Sequence, residues 1–209
     1  MLKSKFKKIA LTSILTTMLS SSFIIANAES YKVFIDAGHG GRDNGASHNG
    51  YVEDVINLQI ANKLKNKLIN EGLEVEMSRT SDTSLSLSER AAKSNNSDAD
   101  IFISIHQNAS SNPSVNGIET YYLGNRNKAL ATAVHNSIIN STNANDRSVR
   151  EANFQVLREN NKVSILLECG FISNPEEETM LNTESYKEKM VDAIYKGILL
   201  YFGSVNMNV

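Results

Sequence analysis

Four residues spread between positions 39 and 168 are of the types that bind a metal and move a proton. His39 stands in DAGHGG, just past the apolar run from Tyr31 to Ala37, and Glu53 follows fourteen residues later at the head of a helical pattern. His106 comes after the apolar run IFISI, and Glu168 ends ILLE. In open α/β sheets, ligands collect beyond the carboxyl ends of strands, where His39, His106 and Glu168 fall and towards which Glu53 can reach back. Two imidazoles and a carboxylate form a common zinc donor set, and a fourth position left to water makes such a site catalytic. Zinc draws the pKa of that water towards neutrality. A second carboxylate outside the donor set can then take and return the proton, and Glu168 is the candidate.

Each residue also has an ordinary reading. A lone histidine in a glycine loop usually serves the turn, and a first-turn glutamate usually faces the helix dipole. There is no HExxH pair. Glu168 is harder to explain away, because a carboxylate joined to Ile-Leu-Leu needs a partner if it is buried. His48, in GASHNG, reads as a substitute ligand or a solvated loop residue, and His135, beside Val134 in mid-helix, as a surface residue. Cys169 next to Glu168 could suggest a thiol nucleophile, but a thiol inside a buried strand is a poor one.

The elements that must position these groups alternate. Strands are expected over Tyr31 to Ala37, Leu73 to Met77, Ile101 to Ile105, Ile118 to Leu123 and Val163 to Leu167. Ile56, Ile60, Leu64 and Leu68 mark one stripe of a helix from Glu53 to Asn70, with Gly72 as its stop. Ser86-Leu87-Ser88-Glu89 has the capping-box pattern and opens a helix to about Ser94. Leu130, Val134 and Ile138 define another helix, and Asn174-Pro175 before three glutamates begins a further one. Met190, Ile194, Ile198 and Tyr201 close the chain as a helix. The expected fold is a single three-layer α/β domain with a mixed, mostly parallel central sheet flanked by helices.

The first 28 residues read as a secretory signal. Four lysines precede an apolar stretch from Ile9 to Ile25, which ends in Ala26-Asn27-Ala28. Its serines and threonines make it too polar for a comfortable bilayer span. Cleavage after Ala28 takes the four lysines with it, so the net charge moves from −2 to −6 over residues 29–209. Such an acidic domain is a poor nonspecific ligand for nucleic acid, and with Cys169 as the sole cysteine it has no internal disulfide.

Taken in order, DAGHGG, Glu53, SRTSD, LSLSER, ADIFISIHQNAS, GIETYYL, NFQVLREN and LLECGFISNPEE resemble the zinc-dependent N-acetylmuramoyl-L-alanine amidases of bacterial cell walls. The resemblance runs from about residue 32 to the end of the last helix. It implies zinc held by His39, Glu53 and His106, with Glu168 as the catalytic acid and base. It also implies peptidoglycan as substrate, cut at the amide between the lactyl group of N-acetylmuramic acid and L-alanine. Asp36 and Asn108 flank the ligands and are expected to orient them; Arg79 and Arg90 could equally be structural. Ala37 stands where many relatives have proline. A secreted enzyme acting in the wall of a Gram-positive exporter is implied, either self-sufficient or positioned by an activating or targeting protein. Small secreted amidases of this kind include enzymes of the spore cortex, so vegetative wall and cortex are both open as substrates. A zinc carboxypeptidase or polysaccharide deacetylase could share the ligand types but not this ordered set of motifs. A wall-binding module with a decayed site would have lost one of the four residues.

Overall fold

The computed structural model describes residues 31–206; the expected signal segment lies outside the described residues. In chain order the elements are β1 Lys32–Ala37, β2 Ser47–His48, β3 Tyr51–Val52, α1 Glu53–Asn70, β4 Glu74–Met77, α2 Leu87–Asn95, β5 Ile101–Asn108 and β6 Ile118–Tyr122. Then come α3 Asn125–Thr142, β7 Asp146–Glu151, α4 Gln155–Arg158, β8 Val163–Phe171, α5 Pro175–Leu181 and α6 Glu184–Asn206.

Six strands form one sheet in the order β4-β1-β5-β8-β6-β7, and β2 pairs with β3 in a separate small hairpin. β4, β1, β5 and β8 are mutually parallel, while β6 runs antiparallel to β8 and carries β7 parallel to itself. The carboxyl ends of β1, β5 and β8 therefore share an edge with the start of β6. The expected mixed, mostly parallel sheet is the observed one.

The two faces differ. Val33, Ile35, Ile101, Ile103, Ile105, Ile165, Leu167 and Cys169 join a large core with the apolar stripes of α1, α3 and α6. In α1 that stripe is Ile56, Ile60, Ala61, Leu64 and Leu68, all buried. Each large member contributes about 1.5–3 kcal/mol by leaving water. Because strand side chains alternate, the opposite face receives Phe34, Phe102 and Leu166, which form a smaller cluster with Ala99, with Val156 and Leu157 of α4 and with the partly buried Tyr121 and Leu123. On the same parity, one or two steps on, lie Asp36, Ser104, His106 and Glu168.

The caps follow from local chemistry. Ser86 accepts from the Glu89 amide while the Glu89 carboxylate accepts from Ser86, the reciprocal box expected. Asn174 accepts from the amides of Glu176 and Glu177, with Pro175 in the first turn. The hairpin, β7 and α4 are additional to the elements expected from sequence.

Candidate active site

His39 follows β1 with φ 57, a left-handed conformation that histidine adopts more readily than most residues. Its neighbours explain the glycines. A Cβ on Gly38 would lie 2.2 Å from the His106 ring, and one on Gly45 (φ 63) would lie 2.4 Å from Glu53 Oε2. The chain can wrap this closely around the two side chains only where no Cβ exists.

Glu53 opens α1 and is buried. Its Oε1 lies 3.2 Å from His39 Nε2 and 3.0 Å from His106 Nδ1. The imidazoles meet edge to face, with centroids 4.9 Å apart. One donor atom from each of the three residues can be chosen so that all lie within 4.8 Å of one another. The surroundings hold these groups in place. The other His39 nitrogen, Nδ1, is 2.8 Å from Asp43 Oδ2. Glu53 Oε2 accepts from the Ala46 amide, and Oε1 from the Gln107 amide and Asn57 Nδ2. A carboxylate on the far nitrogen of a ligand histidine orients the ring and raises its basicity.

Two buried arginines grip the loop from beneath. Arg79 donates to the carbonyls of Ala37, Gly38 and Asp54. Arg90 donates to the carbonyls of Ala37 and His39 and to Asp36 Oδ1. Both are structural in that they fasten the turn carrying His39. Asp36 also accepts from Ser104. Burial pushes its pKa up, but Arg90 and these hydrogen bonds prevail and hold it below the usual value. Asp36 thus reaches the cluster only through Arg90. Asn108 donates to Glu119 on β6, across β8, and accepts from the amide of the next residue, Ala109, so its bonds go elsewhere than to the ligands. Ala37 is the last residue of β1, and its carbonyl serves both arginines.

The electrostatics describe a pocket that demands positive charge. The hydrogen bond to Glu53 is the main cause that raises the His39 pKa to about 9, against burial. Burial also pushes Glu53 up, yet hydrogen bonds from His106 and His39 bring it well below the carboxylate range. Two nitrogens and one oxygen converging on one point, each braced from behind, suit a zinc ion by donor type.

Glu168 sits on β8 in register with His106 on β5 and with Glu119 on β6. It is half-buried, and its Oε2 is buried without a hydrogen-bond partner among the described residues. Burial first, and then the charges of Glu53 and Glu119, raise its pKa well above 4.5. A carboxylate in that state takes up and gives back a proton nearer to neutral pH.

The remaining candidates separate clearly. Cys169 is fully buried, and burial pushes its thiol pKa up, as expected of a core residue. His48 lies on β2 with Nδ1 3.1 Å from Glu178 Oε1, outside the ligand cluster. His135 is not a surface residue. It is 1% exposed and bridges Thr120 and Asp146, tying α3 to β6 and β7. Its position four residues after the buried Ala131 was the available signal. Sequence reasoning also passed over Asp43 and Asn57, which stand four residues after His39 and Glu53 respectively.

Residues 33–199 match the N-acetylmuramoyl-L-alanine amidase family. The chain belongs to this family. As an amidase domain it resembles the crystal structure of an N-acetylmuramoyl-L-alanine amidase from Clostridium difficile 630 at 43% identity and TM-score 0.81, covering 84% of this chain and 98% of that one. It also resembles the CwlD amidase of Clostridioides difficile, solved in complex with the GerS lipoprotein, at 33% identity and TM-score 0.81, covering 84% and 100%. N-acetylmuramoyl-L-alanine amidase LytC of Bacillus subtilis is 38% identical over 174 residues, which are 81% of this chain and 35% of LytC. The chain thus spans about a third of LytC. The amidase family is generally zinc-dependent, in keeping with the donor set formed by His39, Glu53 and His106.

Proposed function

We propose that this amidase hydrolyses peptidoglycan with zinc, cutting the amide between the lactyl group of N-acetylmuramic acid and L-alanine. The observation that carries the reading is the convergence of His39, Glu53 and His106 beside a carboxylate, Glu168, with an unpartnered buried oxygen. In this reading His39, Glu53 and His106 hold the metal. When bound, zinc supplies Lewis acidity towards the carbonyl and an activated water. Glu168, in its carboxylate form, accepts the proton of the attacking water and afterwards delivers it to the departing alanine nitrogen. Asp43, Asn57, Gln107 and Ala46 keep the donors aimed, and Arg79 and Arg90 keep the loop closed beneath them.

Cell-wall amidases among the relatives support action outside the cytoplasm, as does the signal expected over residues 1–28. Among the described residues no helix is long and apolar enough to cross a membrane. The resemblance to CwlD, solved in complex with a lipoprotein, supports a partner protein, and vegetative wall and spore cortex both stand as substrates in this reading.

The test is mass spectrometry of products from purified vegetative and cortex peptidoglycan, with zinc and with chelator. New L-alanine amino termini and free lactyl carboxyls, abolished by chelator and by His39→Ala together with loss of bound zinc, are expected. His39→Ala protein that keeps its full zinc content refutes the ligand assignment. Products cut within the peptide or from the sugar acetyl group refute the reaction.

A further inference from the structure

The edge of the sheet next to Glu168 holds cationic residues that the hydrolytic reading does not use. In the β6–β7 ladder, Ile118 pairs with Asp146 but Thr120 pairs with Val149, so Glu119 on β6 faces two residues of β7. The extra residue is a bulge at Ser148, whose φ of 81 is unusual for anything but glycine. Without it, Arg147 and Arg150 would point to opposite faces, since strand side chains alternate. With it, both turn towards Glu119. Arg147 Nε donates to Glu119 Oε1 at 3.0 Å, and Arg150 Nη1 lies 3.5 Å from the same oxygen. Arg150 Nε is anchored on the Arg147 carbonyl, and Arg147 lies 5.0 Å over the Phe171 ring.

Two guanidiniums thus meet one buried carboxylate, Glu119, on the strand beside Glu168. The arginines are 29% and 48% exposed at the side chain, so their outer N–H groups are open to a ligand. β7 lies two strand spacings from β8, about 10 Å, and the guanidiniums lean back over β6. That gap suits one or two residues of extended peptide at about 3.5 Å each. Arginine N–H pairs match a carboxylate in both shape and charge.

We infer that Arg147 and Arg150, aimed by the Ser148 bulge, form a subsite for a free carboxylate on the stem peptide, carried by the residue after the L-alanine. The inference rests on the amidase reading for the direction in which the peptide leaves Glu168. Arg150 is the specificity-determining residue; Arg147, more enclosed, also holds Glu119.

The test uses two synthetic muramoyl peptides that differ only in a carboxylate or a carboxamide at that residue. They are titrated by calorimetry into the zinc-loaded Glu168→Gln protein, which leaves them intact. The carboxylate form is expected to bind about tenfold more tightly, an advantage that shrinks in high salt and disappears in the added Arg150→Gln background. Arg150→Lys should restore part of it. Equal binding of the two peptides, or a preference that survives Arg150→Gln, overturns the subsite. The reaction assignment falls separately, if the protein with Glu168 intact leaves both peptides uncut while the carboxylate preference persists.

Discussion

The two faces of the sheet use the same strands for opposite ends. On the face covered by α1, α3 and α6, β1, β5 and β8 present apolar residues along their whole length, through Ala37, Ile105 and Cys169. On the other face the apolar residues stop at Phe34, Phe102 and Leu166, and polar ones take over. The covering elements there are short: α2 has nine residues and α4 four. The closed face stores stability in bulk burial. The thin face leaves room for chemistry, and it must stabilise buried polar groups one partner at a time. The proposed site lies at the sheet edge where the thinner cover ends, and Asp36 and the turn carrying His39 are fastened there by Arg79 and Arg90.

That contrast can be broken at several points. Glu168→Gln should lower turnover about a thousandfold, a loss typical of a missing acid and base, while the melting temperature and zinc content hold. Product release assays and metal analysis check it. Because the Glu168 pKa is raised, the carboxylate form is lost as pH falls through a value above 4.5. The acidic limb of the rate profile should therefore lie above that pH and vanish in the glutamine variant.

Asp36→Asn comes next. It leaves Arg90 buried without its counter-charge, an interaction made at 2.8 Å with both side chains almost fully enclosed. Loss of one partner of such a pair costs about 3–5 kcal/mol. Asp36 has a folded pKa below 3.8, so its contribution is present above the unfolded value and lost as pH falls through the folded one. Denaturation at several pH values should show the wild type losing this part of its stability below about pH 3.8, with the variant flat in that range. On the closed face, Leu64→Ala should cost about 2–5 kcal/mol through the cavity it leaves, with activity per folded molecule unchanged. Phe154→Ala on the thin face should cost the least. Its ring is 39% exposed and meets Tyr121 edge-on at 5.0 Å, an aromatic contact worth about 0.5–1.5 kcal/mol. A loss as large as that of Leu64→Ala would erase the distinction between the faces.

Much of this was legible beforehand because it depends on short-range pattern. The stripe of α1, the capping box at Ser86, the proline start of α5 and the apolar runs of β1, β5 and β8 each follow from residues within a few positions of one another. β7 was not legible, since DRSVRE has no clean alternation and contains a bulge that only the neighbouring strand defines. His135 looked solvated because its partners, Thr120 and Asp146, lie on other elements. Arg79 and Arg90 could not be assigned for the same reason, as the acceptors that tie them to the His39 turn, on Ala37, Gly38 and His39, lie 41 to 53 positions away.

By itself the sequence determined the fold class, the residue types available for catalysis and, through ordered motifs, the family. Only the tertiary structure decided that His39, Glu53 and His106 share one point, that Glu168 is left half-buried beside it, and that two arginines turn to the same side. The physical reason is range. Local propensity and periodicity act along the chain, whereas metal-donor distances, desolvation and charge pairing depend on which strands lie side by side.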